Sequence, residues 1–323
     1  MTAAPARIGY TLMTEQSGPR ELVRHARRAE EAGFDFEVCS DHYFPWLDSQ
    51  GHAPYAWSVL GAVSQVTDRV ELMTYVTCPT RRYHPAVVAQ KAATMGLLSD
   101  GRFTLGLGAG ENLNEHIAGP WPAVNIRHDM LAEAIMIIEA LLDGGYLDFA
   151  GEHFTVDSAK LWDLPEQRVE IGVAVSGGQG VARFAKRVDH MIAVEPDAEL
   201  VRGWDAEGGR EGSRRIGQLP VCWHPDRDEA IRIAHDQFRW FGSGWKVNAE
   251  LPGPAGFAGA SQFVRPEDVA DAIPCGPDLE AIAEHVGAFA DAGFTDVALV
   301  QIGDEFQEEF LDVAERELLA TLR

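Results

Sequence analysis

Basic residues are scarce in this chain. Its 323 residues include 27 Lys and Arg against 50 Asp and Glu, a formal charge of −23. So acidic a surface repels phosphate backbones and anionic headgroups, which argues against nucleic acid or a membrane surface as partner. Long apolar runs are missing too; none nears the ~20 residues that span a bilayer. The opening Met-Thr-Ala-Ala-Pro-Ala-Arg lacks the charged-then-apolar order of a secretory leader, so a cytoplasmic location is expected. Cysteine is sparse. Cys39, Cys78, Cys222 and Cys275 stand far apart, with no C-x-x-C pair and no histidines spaced around them as in a zinc site. They are expected as free thiols. None of the eleven histidines forms a His-x-His pair, no serine sits in G-x-S-x-G, and no G-x-x-x-x-G-K occurs. Gly106-x-Gly108-x-Gly110 is not the dinucleotide fingerprint. A metal site, a serine hydrolase and a phosphate-loop enzyme are therefore not expected.

What the chain does have is the balance of a soluble globular protein, 46% hydrophobic and 24% charged. Apolar runs alternate with amphipathic segments. Strands are expected over 8–12, 36–39, 70–77, 103–107, 171–175, 190–194, 219–223 and 297–302. Helices are expected over 19–34, 54–66, 85–98, 129–142, a short stretch after Gly178, from Asp197, after Asp226, 279–292 and 305–322. Pro19 and Pro85 suit first helical turns, Gly33 a helix stop, and Asp226 an N-cap. Eight strands, each followed by a helix, call for a parallel sheet closed as a (β/α)8 TIM barrel, one domain over 1–323. One stretch, 239–277, is longer than a barrel loop needs. It holds Trp240, Phe241, Trp245, Phe257 and Phe263 among many Gly and Pro. It reads as an insertion between strands seven and eight that covers the barrel mouth.

In such a barrel the chemistry sits in loops after the C-terminal strand ends. That rule selects Glu15, Asp41-His42, Cys78-Pro79, Glu111 with Asn112 and Asn114, Ser176-Gly177-Gly178, and Glu195. Carboxylates, an imidazole and amides at one mouth can move protons. Each also has a bland reading. Asp41 and Glu111 could cap turns, Ser176-Gly177-Gly178 could be a plain tight turn, and the insertion's aromatics could be packing.

Five segments together resemble a known family: Ser40-Asp-His-Tyr-Phe-Pro-Trp46, Gly51-His-Ala-Pro54, Thr77-Cys-Pro-Thr80 with Arg82-Tyr-His-Pro85, Leu105-Gly-Leu-Gly-Ala-Gly-Glu-Asn-Leu-Asn-Glu115, and Ser176-Gly-Gly178. In this order, over nearly the whole chain, they resemble the bacterial luciferase-like superfamily. Within it they are similar to coenzyme F420-dependent enzymes of the glucose-6-phosphate dehydrogenase kind. The resemblance implies a cytoplasmic homodimeric oxidoreductase that holds a deazaflavin in the barrel mouth and acts on a small molecule. It implies cofactor contacts at Asp41, Tyr75, Val76, Cys78 (where Thr is commoner), Ala109, Gly110, Asn114, Ser176, Gly177, Gly178, Gly180 and Val181. It also implies a non-prolyl cis peptide within Thr74-Tyr75-Val76. His42 and Glu111 fall on its catalytic positions, and Trp46 and Glu15 on positions lining the reaction centre. Which of His42 and Glu111 is acid and which is base stays open, as does the direction of hydride transfer.

The chain departs from the sugar-phosphate members at one place. Their Lys after strand six is replaced by Val194-Glu-Pro-Asp-Ala-Glu199, and the insertion keeps only Arg239, Lys246 and Arg265 as basic residues. A dianionic phosphate needs charge-assisted donors. An alcohol, carbonyl or activated alkene other than glucose 6-phosphate is therefore expected as substrate. The competing readings are an FMN-dependent luciferase-like monooxygenase, a cofactor binder without catalysis, and a non-redox sugar isomerase or aldolase using Glu15 and Glu111.

Overall fold

The computed structural model describes residues 7–323. Eight parallel strands close on themselves: β1 (Arg7–Leu12), β2 (Phe36–Cys39), β3 (Glu71–Thr74), β4 (Phe103–Leu107), then β7 (Glu170–Ala174), β8 (His190–Ile192), β9 (Arg215–Val221) and β10 (Asp296–Gln301). β10 pairs with β1 to complete the barrel. Strands β5 (Leu147–Ala150) and β6 (Thr155–Ala159) form a separate antiparallel hairpin.

Side-chain alternation along each strand splits the apolar residues into two layers. Phe36, Val38, Met73, Tyr75, Ile192, Ile216 and Ala298 fill the barrel interior. Ile8, Tyr10, Leu72, Leu105 and Val173 face outward and join the helices in the main core. The helix Pro19–Ala32 shows how local sequence sets an element. Pro19 pre-forms its first turn, Leu22, Ala26 and Ala29 make its buried stripe, and Gly33 ends it at φ +102°. Asp226 caps Arg227–Phe238 by accepting from the Asp228 and Glu229 amides.

The N-terminal end of the barrel is closed by charge. Arg7 and Arg214 both lie over the Phe36 ring, 5.6 and 5.5 Å from its centroid. Arg7 pairs with Glu71 at 2.9 Å, and Arg214 with Asp296 at 2.8 Å. The opposite end is open, and there a third apolar cluster, with Met13, Trp46, Trp240, Phe257, Val269 and Val300, ties residues 240–273 to the strand ends.

The eight expected strands are all present; β2 and β4 keep the expected bounds and the other six shift. β3 stops at Thr74; the Tyr75–Val76 peptide beyond it is cis, and Thr77 pairs with Leu107. β9 begins at Arg215 rather than 219. The helix expected from Asp129 starts at Val124, a start the sequence leaves unmarked because its cap, Ala123, offers no side-chain acceptor. The closing helix is interrupted by a π turn at Ala314–Leu318. The hairpin β5–β6 is not among the expected elements; its strands are short, and only Val156 in them is buried. Within 239–277 lie the short helices Trp245–Asn248, Gly253–Ala260 and Pro266–Ala272.

β3 and β4 approach so closely at Gly106 that a Cβ there would lie 1.9 Å from the Thr74 carbonyl oxygen. Gly106→Ala should therefore destabilise by about 1–3 kcal/mol or more. Gly61, inside the helix Ala56–Val63, has nothing within 4 Å of a Cβ. Gly61→Ala should be neutral or stabilising by up to ~1 kcal/mol. Urea unfolding measures both; equal stabilities would refute the close-approach argument.

Candidate active site

The inward parity of β1 and β2 carries past their ends. Thr11, Met13 and Glu15 follow one another on one inner face, as do Ser40 and His42 on the next. All five line a cavity of about 790 Å³ at the C-terminal mouth. Ligand sites of this class commonly measure ~300–1,000 Å³.

His42 stands between two carboxylates. Its Nδ1 lies 2.8 Å from Glu15 Oε1, and its Nε2 lies 3.5 Å from Glu111 Oε1. The Glu15 contact is close but bent away from hydrogen-bond alignment. Glu15 is buried, yet well supplied with donors: Ser40 Oγ at 2.5 Å, Trp46 Nε1 at 3.1 Å and Thr14 Oγ1 at 3.2 Å. Burial alone would push its carboxyl up. The His42 charge and these hydrogen bonds outweigh that and hold it below its ordinary value. Burial alone would likewise push the His42 imidazole down; Glu15 and Glu111 outweigh it, so the ring keeps its proton to a higher pH than usual. The Trp46 ring meets His42 edge-on, centroids 5.0 Å apart.

A second wall is made of backbone. Tyr75 and Val76, joined by the cis peptide, line the cavity with Gly108–Glu111 and Ser176–Gly180, and Gly108 packs against Val76. Gly110, at φ +83°, admits no Cβ, which would sit 2.5 Å from Cys78 Sγ. At Gly177 and Gly178 a Cβ would meet nothing within 4 Å; it would project into open space that a flat ligand could use instead.

Of the expected site residues, His42, Glu111, Trp46, Glu15, Tyr75, Val76, Ala109, Gly110, Ser176, Gly177, Gly178 and Gly180 line this cavity. Asp41, Cys78, Asn114 and Val181 are buried behind its walls. The Asp41 carboxylate accepts from Trp57 Nε1, Thr77 Oγ1 and Tyr83 OH. Asn114 accepts from the Tyr43 and Phe44 amides and donates to Glu111. Cys78 Sγ lies 3.0 Å from Thr80 Oγ1.

At the mouth, Glu195 lines the cavity, but the Asp197 carboxylate caps the helix Ala198–Ala206 instead. Trp240, Phe241 and Trp245 line it, and Trp240 stacks on Trp46 with centroids 4.1 Å apart. Phe257 is buried beneath them, while Phe263 is 86% exposed elsewhere. The segment Ala249–Glu250 is strapped to the strand-four loop: Asn112 N donates to the Ala249 carbonyl and Asn112 Nδ2 to the Glu250 carbonyl. Arg127 and Trp121 hold the Glu250 carboxylate.

Several lining residues were not foreseen. Arg127 and His128 enter because their helix starts early. Thr11 and Gln218, bonded to each other at 3.2 Å, lie beneath them toward the barrel interior. Strand parity would have found Thr11, two residues before Met13 and four before Glu15. Among the described residues no group of three metal-ligating side chains converges as a metal site, and no helix is long and apolar enough to cross a membrane.

The raised His42 value depends on Glu15. Glu15→Gln removes the buried negative charge, so the ring should lose its proton at lower pH than in the wild type. Titration of the histidine ring resonances by NMR checks this; an unchanged or upward-shifted midpoint would refute it.

The luciferase-like monooxygenase family model matches residues 1–296. The chain is 45% identical over 347 residues to the F420-dependent glucose-6-phosphate dehydrogenase of Amycolatopsis mediterranei (strain U-32), covering 98% of each. It is 34% identical over 340 residues to the enzyme of that name from Rhodococcus erythropolis (strain PR4 / NBRC 100887), covering 99% of each. Among solved structures it is similar to an F420-dependent secondary alcohol dehydrogenase in complex with an F420-acetone adduct. The TM-score is 0.88 at 27% identity, over 99% of this chain and 100% of that one.

Proposed function

We propose a function on a fixed premise: the chain belongs to the luciferase-like monooxygenase family. Within it, this chain is a coenzyme F420-dependent oxidoreductase that exchanges a hydride with an uncharged alcohol or carbonyl compound. The observation that carries the reading is the buried Glu15–His42–Glu111 array, a proton path opening on one cavity beside a backbone-lined wall. The named relatives and the alcohol dehydrogenase structure support the cofactor.

The wall fits a flat tricyclic ring. Tyr75 and Val76 would support one face, and Gly177 and Gly178 leave the room that side chains would take. A bound deazaflavin supplies two-electron hydride exchange with little reactivity toward oxygen. The protein's own work is then protonic. In the oxidising direction His42, neutral, takes the proton of the substrate hydroxyl; in the reducing direction, charged, it returns one. Glu15 orients the ring of His42 and stabilises its charge. Glu111 receives or supplies a proton at the cavity side of His42. Trp46, with Trp240 stacked behind it, excludes water from this end of the cavity.

The substrate follows from the lining charges. A sugar phosphate would need cations, and Arg127 is already paired with Glu250 at 2.9 Å. Burial, Arg183 and Arg127 push the His128 imidazole down. Arg265 pairs with Asp268, and Arg239 binds the Asp236 carbonyl. Lys246 remains among the lining residues, and Glu195 lines the same cavity. Trp240, Phe241 and Trp245 suit an apolar body instead. The relatives' name weighs the other way, toward glucose 6-phosphate. The reading includes a cytoplasmic homodimer, the setting the resemblance implies.

Absorbance titration should show deazaflavin bound in preference to FMN; tight FMN binding with oxygen-dependent turnover would instead mark a monooxygenase. In side-by-side assays with deazaflavin, neutral secondary alcohols should be oxidised and glucose 6-phosphate should not. A kcat/KM for the sugar phosphate above ~10⁴ M⁻¹s⁻¹, the range of an enzyme on its own substrate, would overturn the substrate assignment. His42→Ala and Glu111→Gln should each lower kcat by ~10²-fold or more with cofactor affinity little changed. Near-normal turnover in both would remove them from the mechanism. Because His42 is raised, alcohol oxidation should increase with pH to an inflection above that of a free imidazole, and carbonyl reduction should fall through the same range.

A further inference from the structure

We infer that Arg82 is a positioning residue that locks the His42 loop to the Glu111 loop and so sets the spacing of the two proton carriers. The inference rests on the function proposed above, but its geometry is independent of any ligand. Arg82 does not line the cavity. Its side chain is only 7% exposed and lies behind the wall.

From there it reaches both loops. One terminal nitrogen donates to the Asp41 carbonyl at 2.6 Å, immediately before His42. Its Nε donates to Glu115 Oε1 at 2.9 Å, and its backbone N–H to Glu115 Oε2 at 2.9 Å. Glu115 belongs to the single turn Asn112–Glu115, which Glu111 heads as N-cap. A guanidinium is needed for this. Its planar fork offers donors in several directions, whereas an ammonium is a point charge on a flexible stem.

A parallel tie runs beside it. Asn114 accepts from the Tyr43 and Phe44 amides, just after His42, and donates to Glu111 itself. Two cross-links thus join the same two loops, one at each side of His42 in sequence. The arrangement also meets the cost of burial. One cation serves the Asp41 and Glu115 carboxylates, and Asp41 has three neutral donors besides. If the network served the fold alone, weakening it would lower stability, cofactor affinity and turnover together. A positioning role predicts a loss confined to the chemical step.

The variant is Arg82→Lys, which keeps the charge but can serve one loop at a time. Should it fail to fold, Glu115→Gln, which weakens only the Glu111 end, carries the same expectations. The expected result is deazaflavin affinity within ~2-fold of wild type and kcat lowered ~10–100-fold with little change in KM. In a His42→Ala background the same substitution should cost less than ~3-fold, because the partner it positions is gone. Full multiplication of the two losses, or a parallel fall in affinity and kcat, would overturn the inference. Hydrogen exchange gives a readout without turnover. Amide protection should fall together over Asp41–Phe44 and Glu111–Glu115, and little elsewhere. Loss in neither loop, or in one alone, would also overturn it. Should the wild type show no deazaflavin-linked turnover, the proposed function fails while the exchange experiment still decides the brace.

Discussion

A buried carboxylate beside a buried imidazole sets the terms for this molecule's mouth. Glu15 is almost wholly removed from water, and an unpaired charge there would cost several kcal/mol. It stays ionised because His42 lies 2.8 Å away and Ser40, Trp46 and Thr14 supply hydrogen bonds. Each of those groups is thereby fixed. Ser40 and His42 are held at the end of β2, and Trp46 is turned so that its indole N–H points inward. Trp46 in turn offers the face on which Trp240 stacks, which brings the long segment between β9 and β10 down over the barrel. One ion pair thus connects the strand ends, the His42 ring and the cover.

The barrel supplies what the pair needs. Charge closes its N-terminal end, with two arginines over Phe36 and their carboxylate partners. The cavity lies at the other end. There β3 and β4 draw together at Gly106, and the chain turns at Gly110, so a wall of backbone rather than side chains bounds the cavity. Backbone walls suit a planar ring, and side-chain walls suit shape discrimination.

On the proposed reading, charge sets this chain apart from the activity in its relatives' name. Arg127, which lines the cavity, is committed to Glu250, and Arg82, behind its wall, to Asp41 and Glu115. Committed arginines organise a site without attracting an anion to it. Trp240, Phe241 and Trp245 line the same cavity.

The alternation of apolar runs and amphipathic segments was enough to set eight strands and the barrel, because periodicity reports burial directly. Strand-end position was enough to collect Glu15, His42 and Glu111, since parallel barrels present those ends together. Other features depended on three dimensions. Asp41 and His42 are neighbours in the chain, yet alternation along an extended backbone sends one behind the wall and the other into the cavity. Asn114 has the right chemistry for a ligand contact, but its amide is consumed by Tyr43, Phe44 and Glu111. Asp197 and Phe263 look like mouth residues in sequence, but one caps a helix and the other faces solvent. The early start of the helix Val124–Leu142, which brings Arg127 and His128 to the site, has no capping side chain to announce it. Local pattern fixes which face of its own element a residue takes. Which groups meet across 30 to 130 residues of chain is decided only by closure of the barrel, and with it who pairs with whom.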